Sequence, residues 1–328
     1  MIHFHAMPKF LWTIERFVRD WAPSLAPSIT AVGYDAIPLD QALDPGVHIF
    51  TDFERMLPPE RWFARRLHGH IAEHPESYRA LNDPATWTGR FDLLSALADA
   101  GLNDFQVHRL RDLGPHVRFP AFLRWENEHT GSLGSALGSV EEVRARVDQR
   151  ISRRRMLLRH LLMVVEQVDV RDADGMFRKY SAMKIGDHLV PRHVLFSRKW
   201  MTKKPDIVTP ELASEELRFV EEFPHADQVN DAFVRAGMTY GRIDYGMRDG
   251  RMQVWEINSN PVIVPLKKRI NPLRRPAQDR SAAEIAAAFA ALIAGAPAAS
   301  GTRAFGGPER LWWRGQGAVS RRYDGRRR

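Results

Sequence analysis

The residues best suited to chemistry lie together in residues 240–261, with the sequence YGRIDYGMRDGRMQVWEINSNP. Strand-forming residues on either side of an Arg-Asp-Gly tripeptide predict a β-hairpin with a three-residue loop that ends in glycine. In that register Arg242 lies opposite Glu256 and Asp244 lies diagonal to Glu256, so Asp244, Glu256 and Asn258 share one face. Carboxylate and amide oxygens suit magnesium, and an arginine on the same face can donate to a phosphate that the metal holds. The segment therefore predicts a divalent-cation site that handles phosphate; the alternative is a hairpin whose charges face water.

The elements that must position this hairpin predict an α/β (α+β) protein. Residues 1–115 alternate short apolar strands, at 29–34 and 47–51, with helices, one of which ends at Gly101; this predicts a small N-terminal α/β domain. Residues 116–296 form a second, β-rich domain. Its strands are predicted at 119–125, 163–170, 176–185, 189–196, 240–247 and 251–258, joined by turns at 172–175, 186–187 and 249–250, with helices at 139–162 and 210–222. Residues 297–328 are expected to be a basic, disordered tail.

Composition excludes several classes of protein. The chain has 328 residues, 44% of them hydrophobic and 27% charged, and no cysteine, which excludes disulfide scaffolds, cysteine zinc sites and thiol nucleophiles. Of the net charge of +8, residues 301–328 supply +6, from eight arginines against two acidic residues, and the rest supplies +2. Nucleic acid is therefore not the favoured partner. The first residues lack a signal-peptide pattern and the alanine-rich stretch 281–299 is too weakly apolar to span a membrane, so we expect a cytoplasmic protein.

The histidines are predicted to lie at the surface or in packing positions. His3 and His5 are close to a chain end that we expect to be mobile, and His70 and His74 lack the HExxH spacing of a zinc protease. His193 follows a proline in a strand near the predicted site and is a candidate for the substrate side.

Residues 240–261 resemble the last strands of the ATP-grasp ligases, a family that includes the D-alanine–D-alanine ligases. The family pattern Gly-Arg-Ile-Asp followed by Glu-x-Asn-x-x-Pro is matched by residues 241–244 and 256–261, and a weaker resemblance covers most of residues 116–265. It implies an ATP-grasp fold, in which two α+β subdomains enclose ATP. It also implies that magnesium, or manganese in its place, is held by Asp244, Glu256 and Asn258.

The same resemblance implies nucleotide contacts further upstream. Residues 119–138 are similar to a phosphate-binding strand and its glycine-rich flap, residues 163–172 to the hinge that holds adenine and ribose, and residues 178–204 to a second phosphate-facing element. The implied nucleotide-binding residues are Arg124, which stands where the family has lysine, and Gly131, Gly134, Glu166, Gln167, Asp169, Lys184 and Arg192. For the hinge residues the alternative is a plain buried strand with a polar edge, and for the cations it is solvated surface charge.

The function that follows from the resemblance is an ATP- and magnesium-dependent ligase. It would join a small-molecule or peptide carboxylate to an amine or similar nucleophile through an acyl phosphate, with Arg242 and Lys203 as the catalytic residues that contact the transferred phosphate. Two alternatives stay open: a kinase on the same fold, and a nucleotide-binding module with little catalysis. The sequence identifies neither the two substrates nor the oligomeric state.

Overall fold

The computed structural model describes residues 1–37, 42–129, 131–151, 158–202 and 204–297. The strands are β1 (Ile2–Ala6), β2 (Ile29–Gly33), β3 (Gly46–Phe50), β4 (Tyr78–Leu81), β5 (Val107–Arg109), β6 (Ala121–Trp125), β7 (Leu162–Glu166), β8 (Phe177–Ile185), β9 (His188–Ser197), β10 (Tyr240–Arg248) and β11 (Arg251–Asn258). The α-helices are α1 (Trp12–Trp21), α2 (Pro58–Ala72), α3 (Arg90–Asp99), α4 (Val140–Arg150), α5 (Pro210–Glu222), α6 (Ala226–Arg235) and α7 (Arg275–Ala294). Short 3₁₀ helices occur at Pro8–Phe10, Pro23–Ser28, Tyr34–Ala36, Phe53–Arg55, Leu110–Asp112, Arg159–Leu161, Lys267–Arg269 and Pro272–Arg274.

A four-stranded parallel sheet in the order β2-β1-β3-β4 forms the N-terminal part. Parallel strands are buried on both faces, and β1 is buried along its whole length. Ile2 and Phe4 pack in one core with residues of α1 and α7, while His3 and His5 stack on β3. The prediction of a mobile chain start was therefore wrong, because β1 is an inner strand of the sheet.

A second sheet is antiparallel, in the order β11-β10-β8-β9. The predicted hairpins at 186–187 and 249–250 are confirmed, since β8 pairs with β9 and β10 with β11. The hairpin predicted at 172–175 is wrong: β7 lies in a different sheet from β8, and only one bridge, Arg171 to Phe177, forms around that turn. The segment between β7 and β8 thus connects two sheets.

The third sheet has three antiparallel strands in the order β5-β7-β6. Strand β5 precedes residue 115, where we placed the domain boundary, yet it pairs with β7. Together the parallel and antiparallel sheets and their helices confirm the α+β class.

The helices differ from prediction mainly at α4. Its N-terminus is as expected, with Ser139 accepting a hydrogen bond from the Glu142 amide, but the helix ends at Arg150 and β7 begins at Leu162. Helix α5 has the predicted bounds and is capped by Thr209. Lys203 and residues 298–328, which include the basic tail, lie outside the described residues.

One hydrophobic core joins the parallel sheet to the antiparallel four-stranded sheet. It contains Phe4 of β1, Met183 of β8, Tyr240 of β10 and Phe289 of α7, all fully buried. The two sheets therefore share side-chain packing and hold each other in place. Among the described helices, none combines the length and the apolar character that a membrane span requires.

Candidate active site

The hairpin of β10 and β11 turns through two residues, Asp249 and Gly250, both with positive φ (50° and 74°). A two-residue turn alone would place Asp244 and Glu256 on opposite faces. However, the register shifts after Asp244, where Trp255 is the extra residue of a β-bulge on β11. The predicted register was therefore wrong by one residue next to the turn. The bulge adds one more, so the register was wrong by two residues at Asp244, and this even shift returns the two carboxylates to the same face.

As a result, Asp244 is paired directly with Glu256, and Arg242 is paired with Asn258. The row continues across the sheet, because Asp244 also pairs with Ser181 of β8, and Ser181 pairs with His193 of β9. Paired residues on adjacent strands project from the same face. A polar row therefore crosses all four strands of an otherwise largely apolar sheet.

Asp244 is buried and held by three donors. Ser181 Oγ donates to Oδ1 at 2.9 Å, Arg242 Nε donates to Oδ1 at 3.0 Å, and Lys179 Nζ lies 2.7 Å from Oδ2. Burial raises the pKa of Asp244, but the charges of Arg242 and Lys179 outweigh it, so the pKa is lowered overall. Lys179 was not among the predicted residues. Its spacing of two residues from Ser181 places it on the face of Asp244, which only the pairing of β8 with β10 reveals.

Glu256 is bound by two arginines from other parts of the chain. Arg90 Nη2 lies 2.8 Å and Arg124 Nη2 2.9 Å from Glu256 Oε2, while Asn258 Nδ2 donates to Oε1 at 3.2 Å. Burial raises the pKa of this carboxyl, but the charges of Arg90 and then Arg124 keep it well below its usual range. Glu256 is therefore a carboxylate, and the predicted Arg124 lies beside it.

Arg90 was also missed by the sequence analysis. It begins α3, and its Nη1 donates to the carbonyl oxygens of Trp125 at 3.3 Å and Glu128 at 3.0 Å. Because these carbonyls belong to the end of β6 and the residues after it, Arg90 ties the phosphate-binding strand of the resemblance to β11. Nothing in the local sequence of α3 indicates this long-range contact.

The donors on this face fit a hard divalent cation. Glu256 and Asp244 are carboxylates, and Asn258 Oδ1 is buried with no hydrogen-bond partner among the residues that the structure describes. An unpartnered amide oxygen beside two carboxylates is what an oxygen-preferring ion such as magnesium would satisfy. The predicted metal ligands are thus brought together, with one open ligand atom.

The predicted flap lies over Arg124. Arg124 forms a bridge with Ser132, and the Leu133 amide donates to the Leu123 carbonyl at 2.7 Å. Gly134 has φ +109°, and a Cβ at this position would collide with the guanidinium of Arg146. The positive φ, more than contact with the movable Arg146 side chain, favours glycine at this position, so the loop that contains Gly131 and Gly134 packs against β6 in a backbone conformation that other residues rarely adopt.

Two of the predicted phosphate contacts, Lys184 and Arg192, occupy different places. Lys184 is three residues from Ser181, hence on the opposite face of β8, and its Nζ donates to Asn230 Oδ1 at 2.8 Å. Arg192 is the extra residue of a bulge on β9 and is fully buried; its Nε donates to the Ile263 carbonyl at 2.6 Å. Burial first, and the charge of Arg242 second, lower the pKa of Arg192 to about 9. Arg192 therefore adjoins the cluster, whereas Lys184 faces α6.

The predicted hinge residues make structural contacts. Glu166 is buried and accepts hydrogen bonds from the backbone amides of Gln106 (3.0 Å) and Arg118 (2.9 Å), and His108 Nε2 lies 3.0 Å from it. These hydrogen bonds overcome the effect of burial and lower its pKa. The backbone amide of Gln167 donates to the Pro120 carbonyl, and the exposed Asp169 forms an ion pair with Arg171. The carboxylate of Glu166 is fully occupied by the protein.

A further group of polar residues joins the parallel sheet to the end of β11. Ser259 Oγ donates to Glu54 Oε2 at 2.5 Å, and Asn260 Nδ2 donates to Asp52 Oδ2 at 2.9 Å. Burial raises the pKa of Asp52 to about 6. Burial also raises the pKa of Glu54, but its contacts outweigh this effect and lower the pKa to about 2. The largest of these contributions are the hydrogen bond and the charge of His129. The residues after the metal-ligand candidates are thereby fixed to the N-terminal part.

No family model and no curated protein matches the chain. Among solved structures, a RimK domain ATP-grasp protein from Sphaerobacter thermophilus is similar to 90% of this chain over 100% of its own length, with 14% identity and a TM-score of 0.46. D-alanine–D-alanine ligase from Bacillus anthracis is similar over 89% of this chain and 95% of its own, with 12% identity and a TM-score of 0.48. L-amino acid ligase from Bacillus licheniformis is similar over 79% of this chain and 68% of its own, with 15% identity and a TM-score of 0.41. These proteins are of the class that residues 240–261 resemble, but likenesses this remote carry no argument about the function of this chain.

Proposed function

We propose that this protein is an ATP-grasp enzyme that binds ATP with magnesium and uses it to join a carboxylic acid to an amine. The observation that carries the proposal is the pair of opposed carboxylates, the buried Asp244 and the mostly buried Glu256, beside the unpartnered oxygen of Asn258. Cationic side chains from four separate elements converge on the same two carboxylates. Such a group is costly to bury for structure alone.

The balance of charge favours a nucleotide with its metal. Four cations, Arg90, Arg124, Lys179 and Arg242, contact two carboxylates, which leaves two positive charges in excess. A magnesium–ATP complex carries roughly two net negative charges, because one divalent ion offsets part of the triphosphate charge. Binding of this complex would therefore neutralise the buried cluster, whereas magnesium alone would increase its positive charge.

The chain's own residues have distinct roles in this proposal. Asp244, Glu256 and Asn258 would hold the ion, which when bound supplies Lewis-acid polarisation of the phosphate oxygens. Lys179 and Arg242 lie at Asp244 and would offset the charge that develops on the transferred phosphoryl group. Ser181 fixes the orientation of the Asp244 carboxylate through its hydrogen bond.

The proposed reaction needs no covalent protein nucleophile. A substrate carboxylate oxygen attacks the γ-phosphorus, the bond from that phosphorus to the β,γ-bridging oxygen breaks, and ADP leaves. The amine then attacks the carbonyl carbon of the acyl phosphate, phosphate leaves, and the amine loses a proton. Most of the rate enhancement would come from positioning and from neutralisation of charge, as in other phosphoryl transfers.

Phosphate release tests this function. Purified protein with Mg-ATP should release phosphate only when an acid and an amine from a substrate panel are both present. The Asp244→Asn variant should lose this activity by at least about 100-fold, the magnitude typical of losing one electrostatic contact at a reacting centre. Asp249→Asn is the matched control, since Asp249 is exposed in the turn of the same hairpin and should leave activity unchanged.

The alternatives give different outcomes in the same assay. A kinase would transfer phosphate to one acceptor without joining two substrates, and a nucleotide-binding module would bind Mg-ATP without turnover. Activity in Asp244→Asn equal to that of the unaltered protein would contradict the assignment of the site.

A further inference from the structure

The last turn of α2 and the two residues after it carry a second group of metal-ligand side chains, remote in sequence from β10 and β11. His70, Glu73 and His74 each offer one ligand atom, and these atoms all lie within 4.8 Å of one another. His70 and His74 are half-buried, and Glu73 is exposed. The donors are two imidazoles and a carboxylate, unlike the oxygen-only set of the candidate active site.

Helical spacing explains why these three side chains meet. Helix α2 ends at Ala72, but the Glu73 amide donates to the Gly69 carbonyl at 3.0 Å and the His74 amide to the Ile71 carbonyl at 3.2 Å. The chain therefore keeps nearly helical spacing, which places Glu73 (i+3) and His74 (i+4) beside His70. The rings of His70 and His74 have their centroids 5.2 Å apart and lie edge to face. In a tetrahedral zinc site neighbouring ligand atoms are about 3.3 Å apart, so small rotations of these side chains would close the site.

A fourth residue supports this arrangement. Glu76 Oε1 lies 3.6 Å from His74 Nδ1. Metal-binding histidines commonly direct their other ring nitrogen at a carboxylate, which fixes the ring orientation and strengthens the ligand. With Nδ1 directed at Glu76, His74 would present Nε2 to an ion. The partial negative charge at the end of a helix also favours a cation here.

We propose that His70, Glu73 and His74 bind one borderline divalent transition-metal ion of the zinc class, with water in the remaining position. Imidazole and carboxylate ligands suit such ions better than magnesium. The site would also connect α2 to β4, because the His74 carbonyl accepts hydrogen bonds from the amides of Ser77 (3.1 Å) and Tyr78 (3.0 Å). Zinc binding would therefore stabilise the turn that leads into β4.

The test is calorimetric titration of the metal-stripped, full-length protein with zinc chloride in the absence of nucleotide. We expect one zinc ion to bind, with an affinity that falls at least tenfold in His74→Ala and also in Glu73→Gln. His188→Ala is the matched control, because His188 is an exposed histidine outside this group and should leave the affinity unchanged. Glu76→Gln should weaken binding by about 10-fold or more if Glu76 orients His74.

Thermal unfolding without zinc shows whether each variant is folded, and the exposed position of Glu73 makes Glu73→Gln the variant least able to disturb the fold. Equal zinc affinity in the unaltered protein, His74→Ala and Glu73→Gln would overturn the proposal, as would the absence of zinc binding by the folded, unaltered protein. Mg-ATP binding is measured separately and should not change in His74→Ala, so this proposal and the proposed function can fail independently.

Discussion

Three buried histidines should make the N-terminal sheet sensitive to acid. The rings of His3 and His48 stack with centroids 4.7 Å apart, those of His5 and His48 with centroids 5.2 Å apart, and His5 Nε2 lies 2.9 Å from His48 Nδ1. Burial lowers the pKa of all three, that of His48 to about 3 and that of His5 well below its usual value. The three rings are therefore packed as neutral groups at pH 7.

The direction of the pH effect follows from proton linkage. Below the ordinary histidine pKa of about 6.5, the unfolded chain binds protons that the folded chain does not, so the free energy of unfolding decreases as the pH falls toward the folded-state pKa. At pH 5.5, one unit below the unfolded pKa, a histidine that stays neutral in the fold costs about 1.4 kcal/mol. The neutral His5 and His48 should then together lower the free energy of unfolding by about 3 kcal/mol, which is a large part of the stability of an ordinary domain.

Urea unfolding followed by tryptophan fluorescence at pH 7.5 and pH 5.5 measures this loss. The difference in the free energy of unfolding between pH 7.5 and pH 5.5 should be about 3 kcal/mol smaller in a His5→Leu/His48→Leu double variant. It should not change in His188→Leu, which removes an exposed histidine. Asp52 acts in the opposite direction, since its pKa is raised to about 6, but it is present in every variant and cancels in the comparison. An equal pH dependence in the double variant and the unaltered protein would refute this reasoning.

Two further predictions concern matched pairs of cations. Lys179→Met should weaken Mg-ATP binding by about 10-fold or more in a calorimetric titration, because it removes a charge at the proposed phosphates. Lys184→Met, on the opposite face of β8, should change the affinity little. Equal effects of the two substitutions would contradict the placement of the site. Arg274→Leu should destabilise the protein by about 3–5 kcal/mol in urea unfolding, because it leaves the fully buried Glu216 without its cation. Arg275→Leu, which breaks an exposed helical pair, should cost less than about 1 kcal/mol, and a similar loss in both variants would show that Glu216 is not dependent on Arg274.

The shared face of Asp244, Glu256 and Asn258 could be predicted from sequence because alternation along a strand has a period of two. The register could not, since a bulge at Trp255 leaves no mark in the local pattern and compensates for a turn one residue shorter than expected. Here two errors of one residue added to a shift of two, which leaves the face unchanged. A strand pair next to a functional site is a common place for such a bulge.

The cations that complete the site were harder to foresee. Arg90 lies 166 positions before Glu256 in the sequence, and only the packing of α3 against β5 and β11 brings them together. Lys179 and Lys184 have equal local signals, and the pairing of β8 with β10 decides which of them faces Asp244. The position of β1 was missed for a different reason: a strand at a chain end has flanking sequence on one side only.

The measurement that tests the central claim most directly is calorimetric titration of the protein with a non-hydrolysable ATP analogue, with and without magnesium, beside Glu256→Gln and Asp249→Asn. We predict magnesium-dependent binding that is retained in Asp249→Asn. In Glu256→Gln it should weaken by at least about 10-fold, because this variant loses a metal ligand and leaves Arg90 and Arg124 without their carboxylate. Binding of equal strength in all three proteins, or no binding in any of them, would contradict the proposal that this face of the sheet is a nucleotide site.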